Sequence, residues 1–410
     1  MEAQASTTIK EFKDLLIEAW CNDKDPEARE LSMVELVLVD KKLMDESATL
    51  VQSGISADTP VLAIFSLRSV ECASQGSLSL SLNESKRLVV LNIPEGVTEI
   101  AKKAFANCAS IRSLTMPETV NKLGAKAFSG CTSLTSLVLP ESVIRICQDA
   151  FNGCESLASL YISDSVRSIG AGAFHGCKLL SIIQIGASTR KIGYHAFSGC
   201  SSLRSLTIPD SVLSIGADAF SHCSSLTLVS ISNSVTSIEE GTFSSCSSLS
   251  TVTLPGSIRS IGNRAFNGCS SLRSVNVPDS VTSIEDDAFS GCSSLTDVSI
   301  PHFVTTIGAN AFYGCSALIN LGIGGSVRSI GDGAFNGCIS LTSVTIPGSV
   351  TSIGEKGFYG CTCLRSLTIP SSTTSIGEEA FSGCRSLVSL TLPESANVGK
   401  DALKGCPCER

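Results

Sequence analysis

A chain of 410 residues with a net charge of −8, 17% charged residues and 5% aromatics lacks the basic stripe interleaved with aromatics that nucleic-acid binding needs. It contains no run of about 18 apolar residues, so no membrane-spanning helix is expected. The polar start, Met1 to Thr8, lacks the apolar core of a secretory signal, so the expectation is a cytoplasmic protein, reaching the surface only if an export signal precedes Met1.

The acidity is uneven. Residues 1–75 hold 14 Asp/Glu against 7 Lys/Arg, while the other 335 hold 24 against 23, and the two regions meet near the Ser-, Gly- and Gln-rich stretch Cys72–Ser85. In the first region Ile9, Phe12 and Leu16, with Trp20 one turn on, predict an amphipathic helix with Thr7 or Thr8 as N-cap. An apolar run from Val34 to Val39, a turn at Asp40-Lys41-Lys42, a short Asp45–Leu50 segment and a strand from Val61 to Leu67 follow. The helix Thr8–Leu16, the strand and turn Leu36–Leu43 and the Asp45–Leu50 loop resemble the ubiquitin-like family. That resemblance implies a small α+β (β-grasp) region over residues 1–70, with partner binding centred on Val37. Only seven residues precede the helix, so the opening hairpin is missing and a truncated region is expected. Its absence leaves a sheet edge unpaired. No Gly-Gly follows Arg68, which excludes use as a conjugated modifier. Residues 71–82 read as linker and N-terminal cap.

From there a repeat takes over. Phe recurs with one strict period at Phe105, Phe128, Phe151, Phe174, Phe197, Phe220, Phe243, Phe266, Phe289, Phe312, Phe335, Phe358 and Phe381. A cysteine follows each by three: Cys108, Cys131, Cys154, Cys177, Cys200, Cys223, Cys246, Cys269, Cys292, Cys315, Cys338, Cys361 and Cys384. Worn copies place Leu82 and Ser85 before this series and Leu403 and Cys406 after it. The unit reads P-x-S-V-x-S-I-G-x-x-A-F-x-G-C-x-S-L-x-S-L-x-I. Leu206 and Ile208 alternate with Ser205 and Thr207, the period of a half-buried strand. Val212 and Ile215 face the same interior, Gly216 allows a bend, and the stretch before Phe220 predicts a short helical turn. Pro209 and its equivalents lack an N–H and end the strand. One coil cannot bury its own apolar side, but stacked coils can, and about fourteen of them at roughly 4.8 Å make an array on the order of 65 Å long.

The motif I-G-x-x-A-F-x-x-C-x-x-L-x-x-L-x-I-P resembles the BspA-like leucine-rich repeat family over residues 83–408. The expected fold is a repeat solenoid over residues 83–410, mainly β with short helical turns, after the ubiquitin-like region. The resemblance implies protein interaction or adhesion, and surface exposure in many members. The Asn or Cys that usually follows the strand is replaced here by Ser142, Ser165, Ser211, Ser280 and Ser349, expected to donate to neighbouring backbone carbonyls, with Phe303 interrupting that ladder.

Stacking places successive column cysteines about 5 Å apart, within disulfide reach. Burial beneath the turn and a cytoplasmic setting favour reduced thiols acting as small hydrophobes. Ligands strung along an axis do not converge on zinc, so neither metal nor cofactor is expected. Outside the column lie Cys21, Cys72, Cys147, Cys363 and Cys408, and Cys406-Pro407-Cys408 at the frayed end is the easiest to oxidise. His175, His195, His222 and His302 occupy different phases of their coils, with no recurring nucleophile–His–acid set, so no enzyme is expected.

Outward strand positions are mostly Ser or Thr. Arg112, Tyr161, Gln184, Arg204, Arg273, Asp297, Asn320 and Arg365 depart from that pattern and are the candidate binding residues, because Arg and Tyr are favoured anchors. Large apolar anchors read as scarce on this face, which suits a polar ligand. The leading reading is a non-catalytic scaffold whose strand face recognises a protein. A surface adhesin binding a glycan or host protein is the alternative, and an ice-binding surface made of the S-x-T rows is a third.

Overall fold

The inward-facing Leu, Val and Ile of each repeat lack a covering layer within their own coil, and neighbouring coils supply it. The computed structural model describes residues 90–93 and 95–409, with the short strands Val37–Leu38, Lys41–Lys42 and Ser77–Leu78. The described array is a parallel β-solenoid of about thirteen turns. Fourteen strands of one ladder run from Val90–Asn92 to Ser389–Thr391, paired in parallel one coil on at ten of thirteen steps, the breaks following Ser113–Thr115, Ile182–Gln184 and Ser343–Val344. A second ladder of two-residue strands, such as Lys191–Ile192 and Ser214–Ile215, runs beside the first. Strands of the first ladder alternate exposed, buried, exposed, as in Ser205–Thr207. The Pro209 carbonyl then accepts the Val212 N–H at 3.0 Å and turns the chain into the second ladder.

All thirteen column phenylalanines are fully buried, and neighbouring rings stack with centroids 5.1–5.8 Å apart. That step exceeds the spacing of about 4.8 Å between paired strands.

The short helical turn expected around each Phe does not form. Asp218 and His222, two residues either side of Phe220, both adopt left-handed backbone (φ 53° and 59°), and a left-handed residue every four positions prevents an α-helix. The N–H groups divide instead. Those of Asp218, Phe220 and His222 donate to Glu240, Thr242 and Ser244 of the next coil, while Ala219, Ser221 and Cys223 donate within the turn. The Phe turn is thus a third inter-coil ladder, and the one helix among the described residues is the 3-10 turn Pro407–Glu409.

Gly216 does not serve the bend by an unusual φ. A Cβ there would lie 2.6 Å from the Tyr194 backbone nitrogen, so close packing of successive coils is what requires glycine. The last copy is one residue short. Ser366 still pairs with Ser389 across a full period, but Ser375 pairs with Asn397, one position early, so the turn after Thr391 absorbs the deletion.

The serine ladder forms in part. Ser142, Ser165, Ser280 and Ser349 donate to Val120, Val143, Ile258 and Val327 carbonyls of the preceding coil, whereas the Ser211 hydroxyl is buried without a partner. Phe303 stands 60% exposed where the ladder is interrupted. The column cysteines are buried, and those from Cys131 to Cys384 are thiols outside any disulfide. From Cys131 onward each thiol donates to the Phe carbonyl of the preceding coil, as Cys223 does to Phe197 at 3.4 Å. Burial pushes the Cys177, Cys246 and Cys315 thiols up to about 12.

Candidate interaction surface

Parallel in-register pairing turns each outward strand position into a row along the solenoid. Tyr161 sits between Val138 and Gln184 in one row. In the adjacent row Ile182 pairs with Ser159, and Leu228 lies two coils on, beyond Ser205. Val138, Tyr161, Ile182 and Leu228 are 73%, 43%, 66% and 54% exposed, an apolar patch on an otherwise hydroxylated face. Large apolar anchors are therefore not scarce here. Val138, Ile182 and Leu228 were legible as breaks in the S-x-T phase, but attention to charged and aromatic departures passes over aliphatic ones.

The structure disperses the arginines. Arg112, Arg204, Arg273 and Arg365 share one phase, four, three and four coils apart, or about 14–19 Å between neighbours at the strand spacing. They are all exposed and cannot converge on one small ligand. Two of them bear on the patch: Arg112 precedes it by one coil, and Arg204 enters it between the coils of Ile182 and Leu228. Asp297 and Asn320 form a second, polar pair, facing each other in register and joined side chain to side chain. Hydrogen bonds from Asn320 and from Thr296 hold the Asp297 carboxyl below the usual range.

Val37 pairs with Lys42 in a two-residue antiparallel hairpin. Lys41 and Lys42 are thus strand residues and not part of a turn, and the rest of the ubiquitin-like reading lies outside the described residues.

The histidines are closer together than their phases suggest. Because the Phe turn is compact, His175 and His195 of adjacent coils approach to 5.9 Å between ring centroids, and His195 Nε2 lies 3.8 Å from Asp218. Burial, then His195, pushes the His175 pKa down. Among the described residues no group of three His, Cys, Asp or Glu is placed to hold a metal ion.

Residues 81–203, 180–296 and 282–409 match the BspA type leucine rich repeat region family in six copies. The chain belongs to this family. A leucine-rich repeat protein from Bacteroides ovatus is 30% identical, with 78% of this chain and 82% of that one covered and a TM-score of 0.68. A leucine rich cell surface protein from Faecalibacterium prausnitzii is 32% identical, covering 77% and 82%, with a TM-score of 0.49. No curated protein matches the chain. The BspA-type match begins at residue 81 and lends nothing to a ubiquitin-like reading of residues 1–70. Among the described residues no helix is long and apolar enough to cross a membrane.

Proposed function

We propose that this BspA-type protein is a non-catalytic scaffold that recognises a protein partner through the strand face, with Val138, Tyr161, Ile182 and Leu228 as the contact centre and Arg112 and Arg204 at its margins. The observation that carries this reading is the run of exposed apolar side chains Val138, Tyr161 and Ile182 in three successive coils, with Leu228 two coils on, because a cluster of exposed apolar side chains marks an interaction site where single exposed residues do not. Tyr and Arg beside aliphatics also match the composition of binding hot spots.

The test compares proteins retained by the immobilised full chain with those retained by a Val138→Ser/Tyr161→Ala/Ile182→Ser variant. All three side chains point outward, so the variant should fold like the parent by circular dichroism. A partner bound at this face should be lost by at least tenfold. Equal retention by both chains would overturn the reading. Glycan-array binding that survives the triple substitution would assign the hydroxyl rows as the ligand surface instead.

A further inference from the structure

The second ladder carries a feature that the strand-face reading does not use. Its outward positions are mostly neutral in the later coils, Ser283, Thr306, Ser352 and Ser375 among them, with Arg259 and Arg328 standing singly three coils apart in the neighbouring row. In the early coils it is cationic. Arg145, Ser168 and Lys191 stand in register in one row. The neighbouring row reads Ile144, Arg167, Arg190, Leu213, each N–H donating to the carbonyl of the residue before it in the series. Ile144 and Leu213 are 50% and 56% exposed, and the four cations are exposed. Among the described residues no carboxylate lies within ion-pair distance of Arg145, Arg167, Arg190 or Lys191, although Lys122, one coil earlier, is paired with Glu99 at 2.6 Å. In a chain of net charge −8, four unpaired cations held within three coils repel one another and favour an anionic partner.

The ends of the arginine row narrow the choice of partner. A bare polyanion has no use for an aliphatic at each end, and a nucleic acid or sugar would want stacking aromatics, which these rows lack. A peptide carboxylate suits the arginines, whose planar fork binds it by two parallel hydrogen bonds. Ile144 and Leu213 are three coil intervals apart, about 14 Å, which an extended chain covers in about four residues.

We propose that Ile144, Arg145, Arg167, Arg190, Lys191 and Leu213 form a docking site for an extended acidic segment of a partner protein, lying along the solenoid axis with aliphatic side chains about four residues apart and carboxylates between them. This site is separate from the strand-face patch and stands or falls independently of it.

The probe is a fluorescein-labelled peptide, Leu-Glu-Glu-Glu-Leu between short Gly-Ser flanks, titrated with the full-length chain by fluorescence anisotropy. Binding is expected at 50 mM salt and should weaken at 500 mM. It should fall by at least tenfold for Arg167→Glu/Arg190→Glu, by several-fold for Ile144→Ser/Leu213→Ser, and stay unchanged for Tyr161→Ala. All these side chains are exposed, so the variants should keep the parent's circular dichroism. No binding by the parent chain, or equal binding by the charge-reversed variant, would overturn the proposal. Indifference to the Ile144/Leu213 change would also overturn it, as would preference for a sulfated oligosaccharide or phosphatidylserine vesicles over the peptide.

Discussion

At the scale of single residues, chemical identity counts less than the coil-to-coil bond each side chain makes. Ser211 and Ser280 occupy the same repeat position, yet Ser280 donates to the Ile258 carbonyl at 2.6 Å and Ser211 has no partner. Ser280→Ala should therefore cost about 1 kcal/mol, while Ser211→Ala should be neutral or stabilising, since an unmet buried hydroxyl is a liability. Urea midpoints of the two variants check this. Phe220 is fully buried between Phe197 and Phe243. Phe220→Ala should cost about 3–5 kcal/mol, read as faster amide exchange in its own and the flanking coils, because stability in an array is local.

At the scale of the structural element, the cysteine column is a ladder of protonated thiols under the Phe turn. Burial raises the native values from Cys131 to Cys338, to about 12 for Cys177, Cys246 and Cys315, from an ordinary 9.0, whereas a hydrogen bond with Cys361 lowers that of Cys384. Between those limits the unfolded chain loses thiol protons that the folded chain keeps, so the folded state binds more protons. The column's contribution to stability is thus complete below pH 9 and lost as pH rises from about 9 toward 12. The urea midpoint should fall steadily over that range. A bulky maleimide at pH 7 should label Cys363, which is exposed, long before the column residues. Fast labelling of the column in the native state would contradict the packing described here.

For the whole molecule, the coil is the unit of exchange. Removing residues 251–273 takes out one whole period and leaves every ladder in register, so the shortened chain should remain folded by circular dichroism with its column thiols still protected. Removing residues 251–262 takes one strand from each strand ladder but leaves the Phe266 turn, so the turn ladder falls out of step with the strands and those thiols should be exposed. The terminal copy shows where tolerance lies, since its missing residue falls in the turn between ladders and neither ladder is broken.

Much of this was legible in the sequence because the period alone fixes which residues are covered. A Phe at the same place in every repeat can be buried only by stacking, and the cysteine and leucine columns follow from the same register. The turn around each Phe was not legible, since local propensity favours a helix there and only inter-coil bonding places Asp218 and His222 in left-handed backbone. The same holds for the surface. Val138 and Tyr161, or Arg167 and Arg190, stand a full repeat apart in the chain and read as isolated substitutions. Parallel pairing makes each couple lateral neighbours, and that adjacency, which exists only once the coils stack, turns scattered residues into patches.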